Sequence, residues 1–192
     1  ASNNDFRIRC SFILTSPNGG EQWRVGRTYN ITWNKVGNPT AVKLEYSPDN
    51  FFNPENTKVI IASASPNSPY AWTIPDYICN TVRVRISDAA DYGARDDSNA
   101  DFRITGDVTV TSPNGGENWE VYSGHPITWT SRGTISNVRI EYTTDDGTTW
   151  TFIGVYPNSG STPAGDSWSV PDKVSAFCRI KIFDASDPTA DD

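Results

Sequence analysis

Three cysteines and one histidine are the residues of this chain best suited to metal ligation or nucleophilic catalysis. Cys10, Cys79 and Cys178 are separated by 69 and 99 residues, a spacing that matches no zinc site. The sole histidine, His125, has no serine or cysteine nucleophile in a recognisable context and stands at the start of a predicted strand. We therefore expect a structural role for His125, no metal centre built from these residues, and a protein that is not an enzyme.

Aspartate is concentrated in two loops, residues 88–101 and 184–192. Clusters of carboxylate oxygens at domain junctions can bind calcium and stiffen an array of domains. The spacing of these aspartates matches no EF-hand loop, so solvated turns are the preferred interpretation and calcium binding is the alternative. The sequence predicts no other cofactor.

A short motif and two aromatic residues raise the question of sugar binding. Residues 143–150, Thr-Thr-Asp-Asp-Gly-Thr-Thr-Trp, fit the Asp-box pattern of β-propeller glycosidases, where the motif stabilises a hairpin turn away from the active site. A single copy predicts the same turn here. Trp150 and Tyr156 lie near predicted turns, where exposed aromatic rings can stack on sugars. They are the candidate glycan contacts of an alternative function, a carbohydrate-binding or adhesive accessory module of a larger secreted protein.

The net charge of −7 is unevenly placed along the chain. Residues 1–106 carry eleven basic and eleven acidic side chains, whereas residues 107–192 carry five basic and twelve acidic ones. This balance argues against nucleic-acid binding, because no basic face is available to neutralise phosphates. Acidity of this kind keeps an extracellular protein soluble, and a neutral half joined to an acidic half also favours head-to-tail association. No apolar run is long enough to cross a bilayer.

An internal repeat organises the elements that must position these residues. The hexapeptide Ser-Pro-Asn-Gly-Gly-Glu occupies residues 16–21 and recurs 96 positions later at 112–117. The same offset, without a gap, relates many other positions of the two halves. Among these pairs are Trp23 and Trp119, Trp33 and Trp129, Tyr46 and Tyr142, Trp72 and Trp168, and Asp88 and Asp184.

Each repeat contains short segments in which apolar and polar residues alternate. Tyr29, Ile31 and Trp33 alternate with polar neighbours, so one face of that strand points into a core. The same alternation recurs at Val42, Leu44 and Tyr46, at Val82, Val84 and Ile86, at Val138, Ile140 and Tyr142, and at Ile180 and Ile182. A repeat of about 100 residues with some seven strands has the size of an immunoglobulin-like sandwich. The predicted fold is all-β, two tandem immunoglobulin-like (fibronectin III-like) β-sandwiches with Trp33 and Trp129 in the cores.

The motifs of the repeat carry a family resemblance. They are Ser-Pro-Asn-Gly-Gly-Glu-x-Trp, Ile-Thr-Trp, Trp-x-(Ile/Val)-Pro-Asp and Asp-Phe-Arg-Ile. This pattern resembles the Ser/Thr-rich GPI-anchored cell-wall domain first described in yeast β-glucan assembly proteins, which also recurs in tandem in bacterial and archaeal surface proteins. The resemblance implies a β-sandwich repeat and an extracellular or cell-surface location, and it implies no catalytic site.

The two repeats are out of phase with the ends of the chain. Residues 98–104, Ser-Asn-Ala-Asp-Phe-Arg-Ile, form the predicted last strand of the first repeat and are matched by residues 2–8, Ser-Asn-Asn-Asp-Phe-Arg-Ile. We therefore expect residues 1–10 to be the last strand of a preceding or neighbouring repeat. Residues 11–106 are then repeat 1, and residues 107–192 are repeat 2 without its own last strand.

A sandwich without its last strand leaves an open core groove and unpaired backbone groups, which an extended segment can fill by β-strand addition. The predicted donor strand is Asp5, Phe6, Arg7 and Ile8, and the predicted acceptor groove lies at Cys178, Ile180 and Ile182. In one interpretation, residues 1–10 of each copy complete repeat 2 of the next, which gives a head-to-tail homopolymer. In the other, the chain is two repeats of a longer covalent array. Cell-wall or matrix polysaccharide is a further possible partner.

One register of the last two strands predicts an inter-subunit disulfide. If Val84 lies opposite Ile104, then Val82 lies opposite Gly106, and the counterparts of that pair are Cys178 and Cys10. In an oxidising compartment these two cysteines would then bond between copies. The alternative is that all three cysteines are small apolar residues in reduced form.

Overall fold

The computed structural model describes residues 5–163 and 167–187, and over these residues the chain is built of β-strands and a single short 3-10 helix. The all-β prediction is therefore confirmed. The chain divides into two compact units, with unit 1 ending at Thr105 and unit 2 beginning at Gly106. Over the described residues, no helix is long and apolar enough to span a membrane.

Unit 1 is a two-sheet β-sandwich of nine strands. One sheet has the order β1-β3-β6, and the other has the order β2-β9-β7-β4-β5, with β8 also paired to β7. The 3-10 helix, Pro54–Asn56, lies between β4 and β5. The strands are β1 (Ser11–Ser16), β2 (Gln22–Arg24), β3 (Thr28–Val36), β4 (Val42–Ser47), β5 (Lys58–Ala64), β6 (Tyr70–Thr73), β7 (Cys79–Asp88), β8 (Arg95–Asp97) and β9 (Phe102–Thr105).

The core of unit 1 lies between the two sheets and follows from the period of two along each strand. Ile31 and Trp33 of β3 are buried, as are Leu44 of β4 and Val84 of β7. The indole nitrogen of Trp33 donates to the carbonyl oxygen of Pro66 at 3.2 Å, so its polar atom is satisfied inside the core. The predicted inward face of these strands is confirmed.

The last strand of unit 1, β9, lies between β2 and β7. It runs parallel to β2 and antiparallel to β7, and its side chains Phe102 and Ile104 are 0% exposed. The expected register of these strands is wrong, because Phe102 pairs with Val82 and Ile104 with Cys79. The reason is that β8 already occupies the other half of the β7 edge, so β9 pairs only with the beginning of β7.

This register removes the geometric argument for a Cys10–Cys178 disulfide. The counterpart of Val82 is Cys178, and the residue that the repeat offset places opposite it is Phe6 instead of Cys10. Position 106, the counterpart of Cys10, lies beyond the end of β9.

Unit 2 repeats the same order of strands over its described residues. Its sheets are β10-β12, β11-β15 and β14-β13-β16. Ile127, Trp129, Val138 and Ile140 form the buried interior. The strands are β10 (Asp107–Ser112), β11 (Gly124–His125), β12 (Thr128–Arg132), β13 (Asn137–Thr143), β14 (Thr151–Pro157), β15 (Trp168–Ser169) and β16 (Arg179–Asp184).

Unit 2 differs from unit 1 along one sheet edge, and the counterpart of β3 is also split into β11 and β12. Among the described residues of unit 2, no strand corresponds to β2, β8 or β9. Residues 118–120, the counterparts of β2, form no strand. In addition, β16 has six residues where β7 has ten, and the missing positions, 175–178, are the counterparts of those that pair with β9 in unit 1. Both losses lie beside the position that β9 occupies in unit 1.

Candidate functional site

Unit 2 has an open groove of about 770 Å³ along this edge. Its walls combine aromatic and aliphatic side chains with the turn at residues 113–117. Ile180 and Cys178 of the predicted acceptor groove line it. Ile182 is instead buried at 4% exposure and belongs to the interior. The aromatic and aliphatic wall is made by Val110, Trp119, Val121, Tyr142, Trp168 and Val170.

The groove exposes the residues that β9 covers in unit 1. Trp23 of unit 1 is buried and lies 5.1 Å from Phe102 between ring centroids, whereas its counterpart Trp119 is half-buried. The other pairs show the same change from buried in unit 1 to half-buried or exposed in unit 2. These pairs are Val25 and Val121, Trp72 and Trp168, Val82 and Cys178, and Val84 and Ile180.

The aromatic wall keeps its arrangement without a covering strand. Trp119 stacks on His125 with centroids 4.2 Å apart and meets Trp168 edge-on at 6.1 Å. In unit 1 the same positions give a stack of Trp23 on Tyr29 at 4.9 Å and an edge contact with Trp72 at 6.0 Å. The groove is therefore preformed, and His125 serves as a stacking partner, as expected for a structural histidine.

The backbone on the β2 side of unit 1 is hydrogen-bonded to β9. The amide of Val25 donates to the carbonyl of Thr105 at 3.0 Å, and the amide of Arg103 donates to the carbonyl of Glu21 at 2.8 Å. The counterparts of Val25 and Glu21 in unit 2, Val121 and Glu117, line the groove.

The Ser-Pro-Asn-Gly-Gly-Glu motif forms the turn at one end of the groove. The carboxylate of Glu117 accepts the amides of Asn114 at 2.8 Å and Gly115 at 2.7 Å, and these bonds lower the pKa of Glu117. In unit 1 a Cβ added to Gly19 would come within 2.4 Å of the Cβ of Ala100, in the segment that leads into β9. Around its counterpart Gly115 the space is open to 4 Å.

Residues 5–10, the described part of the predicted donor strand, pair with no strand of their own unit. Phe6 and Ile8 are 79% and 86% exposed. Arg9 forms an ion pair with Asp91 at 2.9 Å, and Arg7 reaches the same carboxylate at 3.5 Å. Arg7 and Arg9 hold the segment to the surface of unit 1 and Cys10 packs against its core, while Phe6 and Ile8 face solvent.

The three cysteines are unpaired within the chain. Cys178 is exposed, whereas Cys10 and Cys79 are half-buried. Burial and the neighbouring Asp88 carboxylate, which accepts from Cys10 Sγ at 3.3 Å, raise the pKa of the Cys10 thiol. The inter-subunit disulfide between Cys10 and Cys178 stays a prediction. The strand register from which it was inferred is not the one that unit 1 adopts.

The two candidate glycan contacts are not brought together. Tyr156 lies opposite the buried Val138, so it is on the inner side of its sheet. Trp150 has the ammonium of Lys181 over its ring at 4.6 Å, and Lys181 lies opposite Glu141 on the outer side. The pair therefore forms no common stacking surface for a sugar.

The Asp-box motif forms the turn between β13 and β14. Asp145 accepts hydrogen bonds from the hydroxyls of Thr143 and Thr149, both at 2.6 Å, and from the amide of Thr149 at 2.8 Å. Gly147 adopts a positive φ of 91°, which a glycine tolerates. The motif stabilises a hairpin, as its sequence predicts.

The aspartates of residues 88–101 are engaged by protein groups. Asp96 accepts the amide of Leu14 at 2.7 Å, Asp97 pairs with Arg85 at 2.6 Å, and Asp101 pairs with Arg83 at 2.5 Å. Over the part of the chain that the structure describes, no three Asp, Glu, His or Cys side chains form a metal cluster. Of the second loop, residues 188–192 lie outside the described residues, and calcium there stays a prediction.

The aromatic wall was the part of the groove that sequence reasoning missed. Trp119 and Trp168 were recognised as repeated positions but not as groove residues. The available signal was the repeat itself, since positions that contact Phe102 in one unit must be uncovered in the other when that strand is absent.

A comparison with protein families finds no match to this chain, and a comparison with curated proteins finds none either. The resemblance to cell-wall repeats therefore stays a prediction. Solved structures with detectable similarity include the fibronectin(III)-like modules of Clostridium thermocellum CbhA, at 20% identity over 89% of this chain and 83% of that one, with a TM-score of 0.31.

Salmonella alpha-2-macroglobulin, in its structure after reaction with methylamine, is another such neighbour. It is 9% identical over 95% of this chain and 14% of that chain, with a TM-score of 0.34. Both TM-scores are low, and the fold described above rests on the strands and sheets of this chain alone.

Proposed function

We propose that this chain is an extracellular structural protein that assembles head to tail by β-strand complementation. Residues 2–8 of one copy enter the groove of unit 2 in the next copy and take the place that β9 has in unit 1. Because donor and acceptor are different surfaces, addition is heterologous and gives open fibres. The observation that carries this proposal is the correspondence between the filled site of unit 1 and the open groove of unit 2.

The donor segment fits this site because its sequence repeats that of the resident strand. Phe6 and Ile8 correspond to Phe102 and Ile104, which are completely buried in unit 1. The spacing of two places both on one face of an extended strand. Arg7, between them, then faces solvent, as the half-buried Arg103 does in unit 1 at the sheet surface.

The favourable free energy of association comes from the burial of apolar side chains and from backbone hydrogen bonds between the added strand and its neighbours. Burying a Phe or Ile side chain that starts exposed stabilises by about 1.5–3 kcal/mol each. The added strand also supplies donors and acceptors to both neighbours, as β9 does to β2 and β7. A polar residue in place of Phe6 should therefore weaken association by roughly 10- to 100-fold.

Phe6→Asp tests the proposal in the intact chain. Analytical ultracentrifugation and electron microscopy should show concentration-dependent linear oligomers for the unchanged chain and mainly monomers for the variant. Phe52→Asp is the matched control, since Phe52 is 89% exposed on unit 1 outside the donor segment, and it should assemble normally.

A synthetic peptide of residues 1–10 provides a second readout. It should cap the groove of unit 2 and shorten the fibres in proportion to its concentration. If the unchanged chain stays monomeric at high concentration and the peptide does not bind, the head-to-tail proposal is wrong.

A further inference from the structure

Building on the proposed assembly, we propose that Asp5 of one copy forms an ion pair with Arg179 of the next, and that this pair sets the register of the donated strand. Its template is an ion pair that unit 1 makes within itself. The proposed pair gives Arg179, which lines the groove, a second carboxylate partner and explains how one register is selected.

The template in unit 1 joins β7 to the residue before β9. Arg83, in β7, pairs with Asp101, with Nε and Oδ1 2.5 Å apart. Its Nη1 also donates to the carbonyl of Ser98 at 2.8 Å. The side chain of Arg83 is 20% exposed, so the filled groove shields much of the guanidinium.

In unit 2 the corresponding guanidinium is accessible. Arg179 lines the groove, and its side chain is 63% exposed. It forms an ion pair with Asp146 in the turn after β13, a position held by neutral Asn50 in unit 1. A surface pair of this kind contributes little by itself and leaves Arg179 able to bind a second carboxylate.

The donor segment carries that carboxylate at the matching position. Asp5 precedes Phe6 as Asp101 precedes Phe102. With Phe6 opposite Cys178, the repeat offset brings Asp5 to Arg179. Lys173 also lines the groove and adds a second positive charge to it.

The ion pair discriminates between registers that apolar burial alone leaves equivalent. A slip of one residue turns Phe6 and Ile8 away from the groove, so alternation already excludes it. A slip of two residues keeps an apolar residue facing inward. In one direction it puts Arg7 where Asp5 belongs, and two guanidinium groups then meet. Charge thus disfavours the slip in that direction, and the opposite slip is disfavoured because it puts Asn4 in the inward position of Phe6.

Charge reversal in the full-length chain tests the pair. Asp5→Arg and Arg179→Asp, each alone, should weaken self-association about tenfold or more, because each places like charges together. The chain carrying both substitutions should recover association with itself but associate poorly with the unchanged chain. Arg132→Asp is the matched control, since it makes the same charge change at an exposed residue of unit 2 outside the groove.

Each outcome separates the ion pair from the assembly itself. If the unchanged chain assembles and neither single reversal is weaker than Arg132→Asp, the ion pair is wrong and the assembly stands. Failure of the double variant to recover, with circular dichroism showing folded chains, also overturns the pair. Unfolding would not explain a loss of association in Asp5→Arg, because Asp5 lies outside every strand. If the unchanged chain does not assemble, the proposed function itself fails.

Discussion

At the scale of single residues, the two repeats use the same positions for the same physical purpose. Trp33 and Trp129 are 4% and 3% exposed, and each finds a hydrogen-bond acceptor for its indole nitrogen. Position 129 uses the side chain of Asn158 where position 33 uses a backbone carbonyl. Both cores therefore contain the indole ring at this position, whereas the acceptor for its nitrogen differs between the units.

Trp33→Ala and Trp129→Ala should each destabilise their unit by roughly 3–5 kcal/mol, since each leaves a large cavity in a packed core. Chemical denaturation followed by intrinsic fluorescence measures this cost. Trp150→Ala is the matched control, because Trp150 is only half-buried, and its cost should be clearly smaller. A cost below about 1 kcal/mol at both core positions would mean that these rings do not support the cores.

Asp145 makes a pH-dependent contribution to the stability of unit 2. Hydrogen bonds from the hydroxyls of Thr143 and Thr149, and from the amide of Thr149, lower the pKa of Asp145 to about 2. Because this is below its unfolded value of about 3.9, the stabilisation is complete above pH 4. It is lost as the pH falls through 2.

A pH series of denaturation midpoints checks this prediction. Between pH 4 and pH 2, Asp145→Asn should flatten the decline of unit 2 that the unchanged chain shows. The control Asp172→Asn removes a carboxylate that accepts a hydrogen bond from the Tyr122 hydroxyl, and it should leave the decline in place. Equal slopes in all three chains would contradict the assignment.

At the scale of elements, the length over which one strand forms depends on the strand that pairs with it. The strand β7 runs from Cys79 to Asp88, and the equivalent β16 begins only at Arg179. The four lost positions are the counterparts of those beside β9, where the ladder supplies hydrogen bonds. Residues 175–178 have no partner strand among the described residues, and without such a ladder the backbone there does not form a strand.

Residues 175–178 should join β16 when a donor strand enters the groove. Hydrogen exchange at their amides should slow by at least tenfold on assembly or on addition of the 1–10 peptide. The thiol of Cys178, now exposed, should become protected from alkylation as it comes to lie opposite Phe6. Assembly that leaves these amides fast and this thiol reactive would show that the strand docks elsewhere.

At the scale of the whole molecule, the chain consists of two units of similar design, of which unit 1 has a strand at the β9 position and unit 2 has none among its described residues. Unit 1 buries Phe102 and Ile104 under its own aromatic cluster. Unit 2 leaves the corresponding cluster at Trp119 and Trp168 partly open to solvent. Each unit has its own core. Unit 2 differs in that more of its apolar surface is exposed to solvent.

The two units should therefore unfold in separate transitions, with unit 2 first. Ligand binding to the folded state stabilises by an amount that grows with concentration, about 2.7 kcal/mol at one hundred times Kd. Adding the 1–10 peptide, or raising the protein concentration, should thus shift only the first transition. Tryptophan fluorescence and calorimetry measure both transitions. A single transition that does not depend on concentration would contradict this picture.

The sequence by itself determined the all-β fold, the repeat offset and the inward faces of the strands. These follow from local alternation and from comparing the two halves, which needs no knowledge of strand pairing. It also predicted the hairpin at residues 143–150 and the structural role of His125, because each depends on neighbours close in the chain or on the repeat.

Only the tertiary structure decided what depends on pairing across the sheets. The register of β9 on β7 was wrong in the sequence-based prediction, because β8 occupies half of that edge and alternation cannot distinguish shifts by an even number of residues. The opposite faces taken by Trp150 and Tyr156 follow from a bulge in the β13–β14 pairing. The aromatic wall of the groove likewise depends on tertiary structure, because its residues are distant in sequence and are brought together only by the folded strands.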